Sequence, residues 1–369
     1  MKSPLQSAIQ GAEKSTDPSD SSLTDLEYQT QKPKIILAGI GGGGNNTVDR
    51  IASKGVKRAE MVAINTDRAH LEKIKADKKI NIGGEITKGR GTGGSPSVGR
   101  RAAENSIEKF RELFRGADMV FLACGLGGGT GTGGAPVAAK VAKEEGALLT
   151  GVVTMPFKVE KRDEVAKKGL KELREHADSV IIIDNNRLSE MASELPMRYA
   201  FTMADEVLTN TLKGLTETIM VPSLINLDFA DVEAIMKKDN LIFVGTGEAK
   251  GTNRAEKSVK QALSCPLLGN IDYSAAEGVL MHISGADVRI SEAQKIGEIV
   301  QQHVNPEAQI IPGARIDRTL GEHLQTILLF SGVSSPLILG PASENREIPP
   351  GESSRQKAGA PLNLNIGYL

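Results

Sequence analysis

Residues 124–134 read CGLGGGTGTGG. Seven of these eleven positions are glycine and two are threonine, so the stretch carries almost no side-chain bulk. It follows the apolar run ADMVFLA (117–123), which has the composition of a strand buried on both faces. It leads into APVAAKVAKEEG (135–146), which has helical periodicity. A strand-to-helix junction without side chains lets the backbone approach a ligand closely. The helix behind it offers unpaired N–H groups and the positive end of its dipole. Such a junction suits a phosphate.

Two more glycine turns frame this one. AGIGGGGNN (38–46) joins the first strand to a helix, and Gly39, Gly41 and Gly44 match G-x-G-x-x-G. Alone, this fingerprint favours an NAD-binding domain, with Asp67 after the next strand as the ribose acid. GGEITKGRGTGGSP (83–96) supplies the third turn. A dinucleotide domain needs one such loop; three loops on one sheet surround a longer phosphate chain. No G-x-x-x-x-G-K-[ST] occurs, so no lysine has the P-loop role and backbone N–H groups must hold most of the anion. Thr130 and Thr132 add hydroxyls without bulk.

Outward from these turns, short apolar runs alternate with helical ones. KIILAG, EMVAIN, KKINI, DMVFLAC, ALLTGVVT and DSVIIID read as strands. SVGRRAAENSIEKFRELF, APVAAKVAKEEG and DEVAKKGLKELREHA read as helices. The alternation predicts an α/β fold with a doubly wound, mostly parallel sheet. Residues 1–32 are polar and Ser/Asp-rich and are expected to form a flexible arm. The first domain is assigned to 33–195 and a long central helix to 196–220. A second, smaller α/β domain is assigned to 221–333, with LIFVGTGE, EGVLMHISG, AQIIPGARI and LQTILLF as strands. Residues 334–369 read as a flexible tail ending in an apolar patch, PLNLNIGYL.

Composition excludes several functions. The 45 basic and 46 acidic residues leave a net charge of −1, so nothing marks a nucleic-acid footprint or a lipid-binding surface. Two distant cysteines, Cys124 and Cys265, fit a reducing compartment and exclude a disulfide framework. The five histidines show no metal-ligand spacing. No signal pattern or membrane-length apolar run occurs, and the expected location is the cytoplasm.

The motifs together resemble a known family. GGGTGTG is the signature of the tubulin and FtsZ superfamily, and the longer CGLGGGTGTGGAPVAAKVAKEEGALLTGVVTMPF resembles FtsZ more than tubulin. AINTD, KADKKINIG, ADEVL and INLDFADV extend the likeness over roughly residues 33–333, with wording closer to archaeal members than to bacterial ones. The resemblance implies a GTP-binding domain, a central helix and a second, GTPase-activating domain. It implies phosphate contacts at Gly41, Gly42, Gly43, Gly44, Asn45 and Asn46, at Gly93 and Gly94, and at Gly128, Gly129, Thr130, Gly131 and Thr132. It implies ribose contacts from Glu160 and from Arg162, in a segment two residues shorter than the family's. Base contacts fall to Asn185, Phe201 and Asp205. Guanine presents two adjacent donors to a carboxylate such as Asp205, where adenine would present an acceptor.

Asp228 and Asp231, three residues apart ahead of Val232 and Ile235, read by themselves as a helix-capping arrangement. The resemblance gives them another role. With Asn226 they complete the pocket of the next subunit and orient the attacking water, while Mg2+ is held mainly by phosphates and water. The expected function is then a cell-division GTPase that polymerises head to tail at the division site, on the inner side of the membrane, and turns over GTP and GDP. Its partners are further copies of itself and, through Leu362, Leu364, Ile366 and Tyr368, a membrane-anchoring protein. It inserts no segment into the membrane and binds no nucleic acid. The alternatives are an NAD-dependent oxidoreductase using the first glycine loop, and a non-polymerising nucleotide-binding regulator.

Overall fold

The computed structural model describes residues 33–55, 59–186, 209–216, 224–225, 229–237, 241–265 and 271–333, together with 206 and 219. The arm, the tail, Phe201, Asp205, Asn226 and Asp228 lie outside the described residues.

The six apolar runs of the first half all form strands: β1 (Ile35–Ile40), β2 (Ala59–Asn65), β3 (Lys78–Asn81), β4 (Met119–Gly125), β5 (Leu148–Met155) and β6 (Ser179–Asp184). They pair in parallel in the order β3-β2-β1-β4-β5-β6. Every residue of β1 is buried, as a strand covered on both faces requires. The helices of this half are α1 (Gly41–Ser53), α2 (Arg68–Lys73), α3 (Gly84–Thr87), α4 (Pro96–Glu104), α5 (Ile107–Phe114), α6 (Thr130–Glu144) and α7 (Asp163–Arg174). The stretch 97–114, expected as one helix, is two. Ser106 is buried and its hydroxyl accepts from the Gly83 N–H at 3.2 Å, which breaks the helix between α4 and α5.

Strand order reverses between β1 and β4; in open α/β sheets such a reversal leaves a crevice at the carboxyl ends of the strands. The glycine turns after β1 and β4 border this crevice.

The second half contains α8 (Phe229–Met236), β7 (Leu241–Lys250), α9 (Arg254–Leu263), β8 (Gly278–Gly285), α10 (Ile290–Gln301), β9 (Gln309–Ile316) and β10 (His323–Ser331). Its order is β7-β10-β8-β9, with β10 antiparallel to both β7 and β8 and with β8 parallel to β9. Two residue pairs, Val180–Leu241 and Ile181–Ile242, join β6 to β7 and make one ten-stranded sheet.

Residues 209–216 are helical and touch both halves. The Asn210 side chain accepts from Lys54 at the far end of α1 (3.3 Å), and Gly214 lies against Ile327 of β10 and His282 of β8. Among the described residues, no helix is long and apolar enough to cross a membrane.

Candidate functional site

The three glycine turns meet in backbone contact. Gly41 has φ +76°, and a Cβ there would lie 2.8 Å from the Gly131 nitrogen. A Cβ on Gly43 would lie 3.1 Å from the Gly125 Cα, and one on Gly129 would lie 2.8 Å from the Ser95 nitrogen. At these positions glycine is required because one turn backs directly onto the next. Gly42, Gly93, Gly94 and Gly128 are different: a Cβ would meet nothing within 4 Å. Space is open beside them.

Helices α1, α4 and α6 all begin at these turns. The first N–H groups of a helix have no partner within it, so three sets of donors and three dipole ends converge on one open surface. This is an anion cradle built from backbone.

The polar side chains around it are mostly buried. The hydroxyls of Thr130 and Thr66 share a hydrogen bond of 2.8 Å, which ties the turn after β2 to the turn after β4. The Asn45 carbonyl oxygen accepts from the Ile64 N–H at 3.1 Å, leaving its amide nitrogen buried with no partner. Asn46 is exposed. Thr132 keeps its backbone in the first turn of α6, but its methyl group packs against Gly169 of α7 and its hydroxyl is buried without a partner.

Beyond β5, Glu160 accepts from the Phe157 N–H at 3.0 Å and stands 3.8 Å from the Arg162 guanidinium. The Arg162 stem lies beside Gly127, where a glycine Cβ would come within 3.1 Å of it. Glu160 and Arg162 thus stand at the rim of the turn after β4. Asn185 follows β6, is buried, and has an unpartnered carbonyl oxygen. The neighbouring Asn186 is fixed instead: it donates to the Pro156 carbonyl (3.1 Å) and accepts from the Lys158 N–H (2.7 Å). Cys124 is no nucleophile, because burial pushes its thiol up to about 12.

Thr66 and Asn186 position the site and are not singled out by the sequence. Thr66 carries a signal, a polar residue directly after an apolar strand. Asn186 carries none, because its partners Pro156 and Lys158 lie on another segment. Asp67, the ribose acid of the NAD reading, caps α2 by accepting from the His70 N–H at 3.0 Å.

Asp231 does not join this group. It is half-buried in the first turn of α8. That helix ends with Met236 against the hydroxyls of Ser179 (3.4 Å) and Thr150 (3.9 Å), near the amino ends of β6 and β5. The glycine turns after β1 and β4 stand at the carboxyl ends of strands parallel to these, and so at the opposite edge of the sheet.

The described residues fit a nucleoside polyphosphate. The open glycine faces match a phosphate chain, Glu160 and Arg162 stand beside it, and Asn45 and Asn185 each hold an unpaired buried polar atom. Residues 34–193 match the family model described as "Tubulin/FtsZ family, GTPase domain", and residues 241–334 match "FtsZ family, C-terminal domain". The chain belongs to the FtsZ family. It is 47% identical to cell division protein FtsZ 2 of Methanocaldococcus jannaschii over 336 residues, covering 90% of this chain and 88% of that one. Identity to FtsZ 1 of Thermococcus kodakarensis is 45%, over 95% and 92% of the two chains. The solved structure of an empty FtsZ dimer from M. jannaschii superposes with a TM-score of 0.77 at 40% identity, covering 89% of this chain and 92% of the other. The structure of a tryptophan-to-tyrosine mutant of M. jannaschii FtsZ gives 0.79 at 42% identity, covering 90% and 96%. The archaeal resemblance read from the motifs stands. The NAD reading does not, because the crevice belongs to the GTPase domain of the FtsZ family. The mostly parallel sheet is likewise the FtsZ fold.

Proposed function

We propose that this chain is a cell-division GTPase that assembles head to tail into filaments, and that GTP is hydrolysed where two subunits meet. Gly41–Asn46, Gly93, Gly94 and Gly128–Thr132 hold the phosphates. Glu160 and Arg162 hold the ribose, and Asn185, Phe201 and Asp205 hold guanine. Asn226, Asp228 and Asp231 of the adjoining subunit face the γ-phosphate, and their carboxylates orient and polarise water. Phosphoryl transfer needs mainly positioning and charge stabilisation, so a few placed groups suffice. Mg2+, coordinated by phosphates and water, would offset developing charge. The functional division of the chain follows 33–195, 196–220 and 221–333.

One observation carries this reading. The cradle lies at the carboxyl ends of the strands, whereas α8, with Asp231 in its first turn, meets β5 and β6 at their amino ends. Lys54 leads the same way: it closes α1, roughly 20 Å from the cradle by helix rise, and there it holds Asn210 and Glu206. The acids of one subunit therefore serve another subunit's nucleotide. Such a contact joins unlike surfaces and extends into open filaments. The dimeric M. jannaschii structure is consistent with self-association in the family.

The test is phosphate release against protein concentration, with light scattering in parallel. Turnover per molecule should rise as polymer appears. Asp228→Asn should still bind GTP but turn over ~10²–10⁴-fold more slowly, as for a lost acid/base group. Mixed with Asp205→Ala, which has an intact acidic loop, it should hydrolyse more GTP per subunit than either variant alone. Flat turnover down to concentrations without polymer would refute the split site, and GTP binding with neither turnover nor polymer would return the chain to the non-polymerising regulator.

A further inference from the structure

A cavity of about 480 Å³ lies between α4, α6 and α7. Its volume falls within the range of small-molecule sites. Thr132 and Gly133 of α6 form one side of it. The helices come this close because Gly133 and Gly169 lack side chains: a Cβ on Gly133 would lie 2.7 Å from the Arg100 nitrogen, and one on Gly169 would overlap the Thr132 methyl.

Two kinds of surface line the cavity. Pro96, Val165 and the backbone of Gly169 give apolar walls, and Val165 is 38% exposed. At the polar rim, Arg100 is neutralised by Glu172 in an ion pair that bridges α4 and α7. Arg101 and Lys168 also line the cavity, are exposed, and have no ion-pair partner among the described residues. The Thr132 hydroxyl, in a residue 3% exposed, has no hydrogen-bond partner.

We infer that this cavity binds a small organic anion with an apolar body, at a site separate from the nucleotide cradle. The anionic head lies between Arg101 and Lys168, and the body packs on Pro96 and Val165. The cradle recognises anions through backbone N–H groups; here the charges are side chains and the walls are apolar. A compact phosphate alone therefore fits this cavity poorly.

Naphthoate, a carboxylate on a flat apolar body, is the probe, titrated into the full-length protein without nucleotide and followed by calorimetry. Saturable one-to-one binding is expected, with the same affinity in the presence of saturating GTP. Val165→Trp, at an exposed position that tolerates a larger side chain, should abolish binding by filling the cavity. Arg101→Ala combined with Lys168→Ala should weaken it roughly three- to tenfold, as the loss of two partly exposed charge interactions implies. Naphthalene methanol, the neutral counterpart, should bind correspondingly weakly. Displacement of naphthoate by GTP would put the probe in the cradle and overturn the proposal, as would non-saturable binding or binding unaffected by Val165→Trp. Equal affinity for the neutral probe would overturn the role of the two cations. None of these outcomes bears on filament assembly.

Discussion

Gly42 and Gly44 stand two residues apart in the same turn, and their surroundings are opposite. Gly44 is buried on β4: an added Cβ would overlap the carbonyl oxygen of Ala123 and lie 2.9 Å from its carbonyl carbon. Ordinary carbon contacts fall at about 3.5–4.0 Å, so Gly44→Ala requires α1 to retreat from β4 by about 1 Å. Overpacking of this kind costs about 1–3 kcal/mol, and urea unfolding should report that loss. Gly42 has open space around its Cα, and its φ is not in the left-handed region. Gly42→Ala should therefore unfold at a urea concentration equal to or slightly above that of the parent, since alanine restricts the unfolded chain by about 0.4–1 kcal/mol. Its methyl group, however, projects where a phosphate must approach the backbone. Losing one charge-assisted hydrogen bond of about 1.5–3 kcal/mol weakens GTP roughly 10- to 150-fold. Fluorescent GTP binding and urea unfolding of both variants give the comparison. Full-strength GTP binding by Gly42→Ala would refute the cradle, and unchanged stability of Gly44→Ala would refute the packing argument.

His282 is buried in β8, and its pKa is lowered to about 4, first by burial and then by the Arg315 charge, against a smaller opposing effect of Asp317. The unfolded chain takes up this proton near pH ~6.5, so stability is full above that pH and falls as pH drops toward ~4. At pH ~5 this group alone costs about 2 kcal/mol, and His282→Gln should remove that part of the acid-side decline in urea unfolding. An unchanged decline would show that other groups are responsible. In the tail, removing residues 360–369 should leave GTP turnover intact and abolish recruitment to the membrane in cells. Normal localisation of the shortened protein would rule out Leu362, Leu364, Ile366 and Tyr368 as an anchor-binding peptide.

Local pattern carries most of the fold. The apolar runs from KIILAG to DSVIIID are buried on both faces wherever they lie in the sheet centre, so their strands are readable without knowing their neighbours. Glycine turns placed after β1 and β4 locate the crevice, because a side chain-free junction between strand and helix has few other uses. What the sequence does not supply is the relation between distant segments. The two parts of SVGRRAAENSIEKFRELF look continuous until the Ser106 hydroxyl meets the Gly83 N–H, 23 residues away in sequence. Gly42 and Gly44 are the same letter, and only the approach of β4 distinguishes a glycine needed for packing from one left open for a ligand. Thr132 reads as a phosphate contact, yet its methyl group packs against Gly169 of α7 and its hydroxyl is buried. Asp231 reads as a helix cap or a catalytic acid, and only the packing of α8 on the amino ends of β5 and β6 shows that it lies away from the glycine turns of its own subunit. Periodicity and composition are local properties, fixed by a residue and its near neighbours. Which face of a residue is covered, and by what, is decided only when segments far apart in sequence pack together.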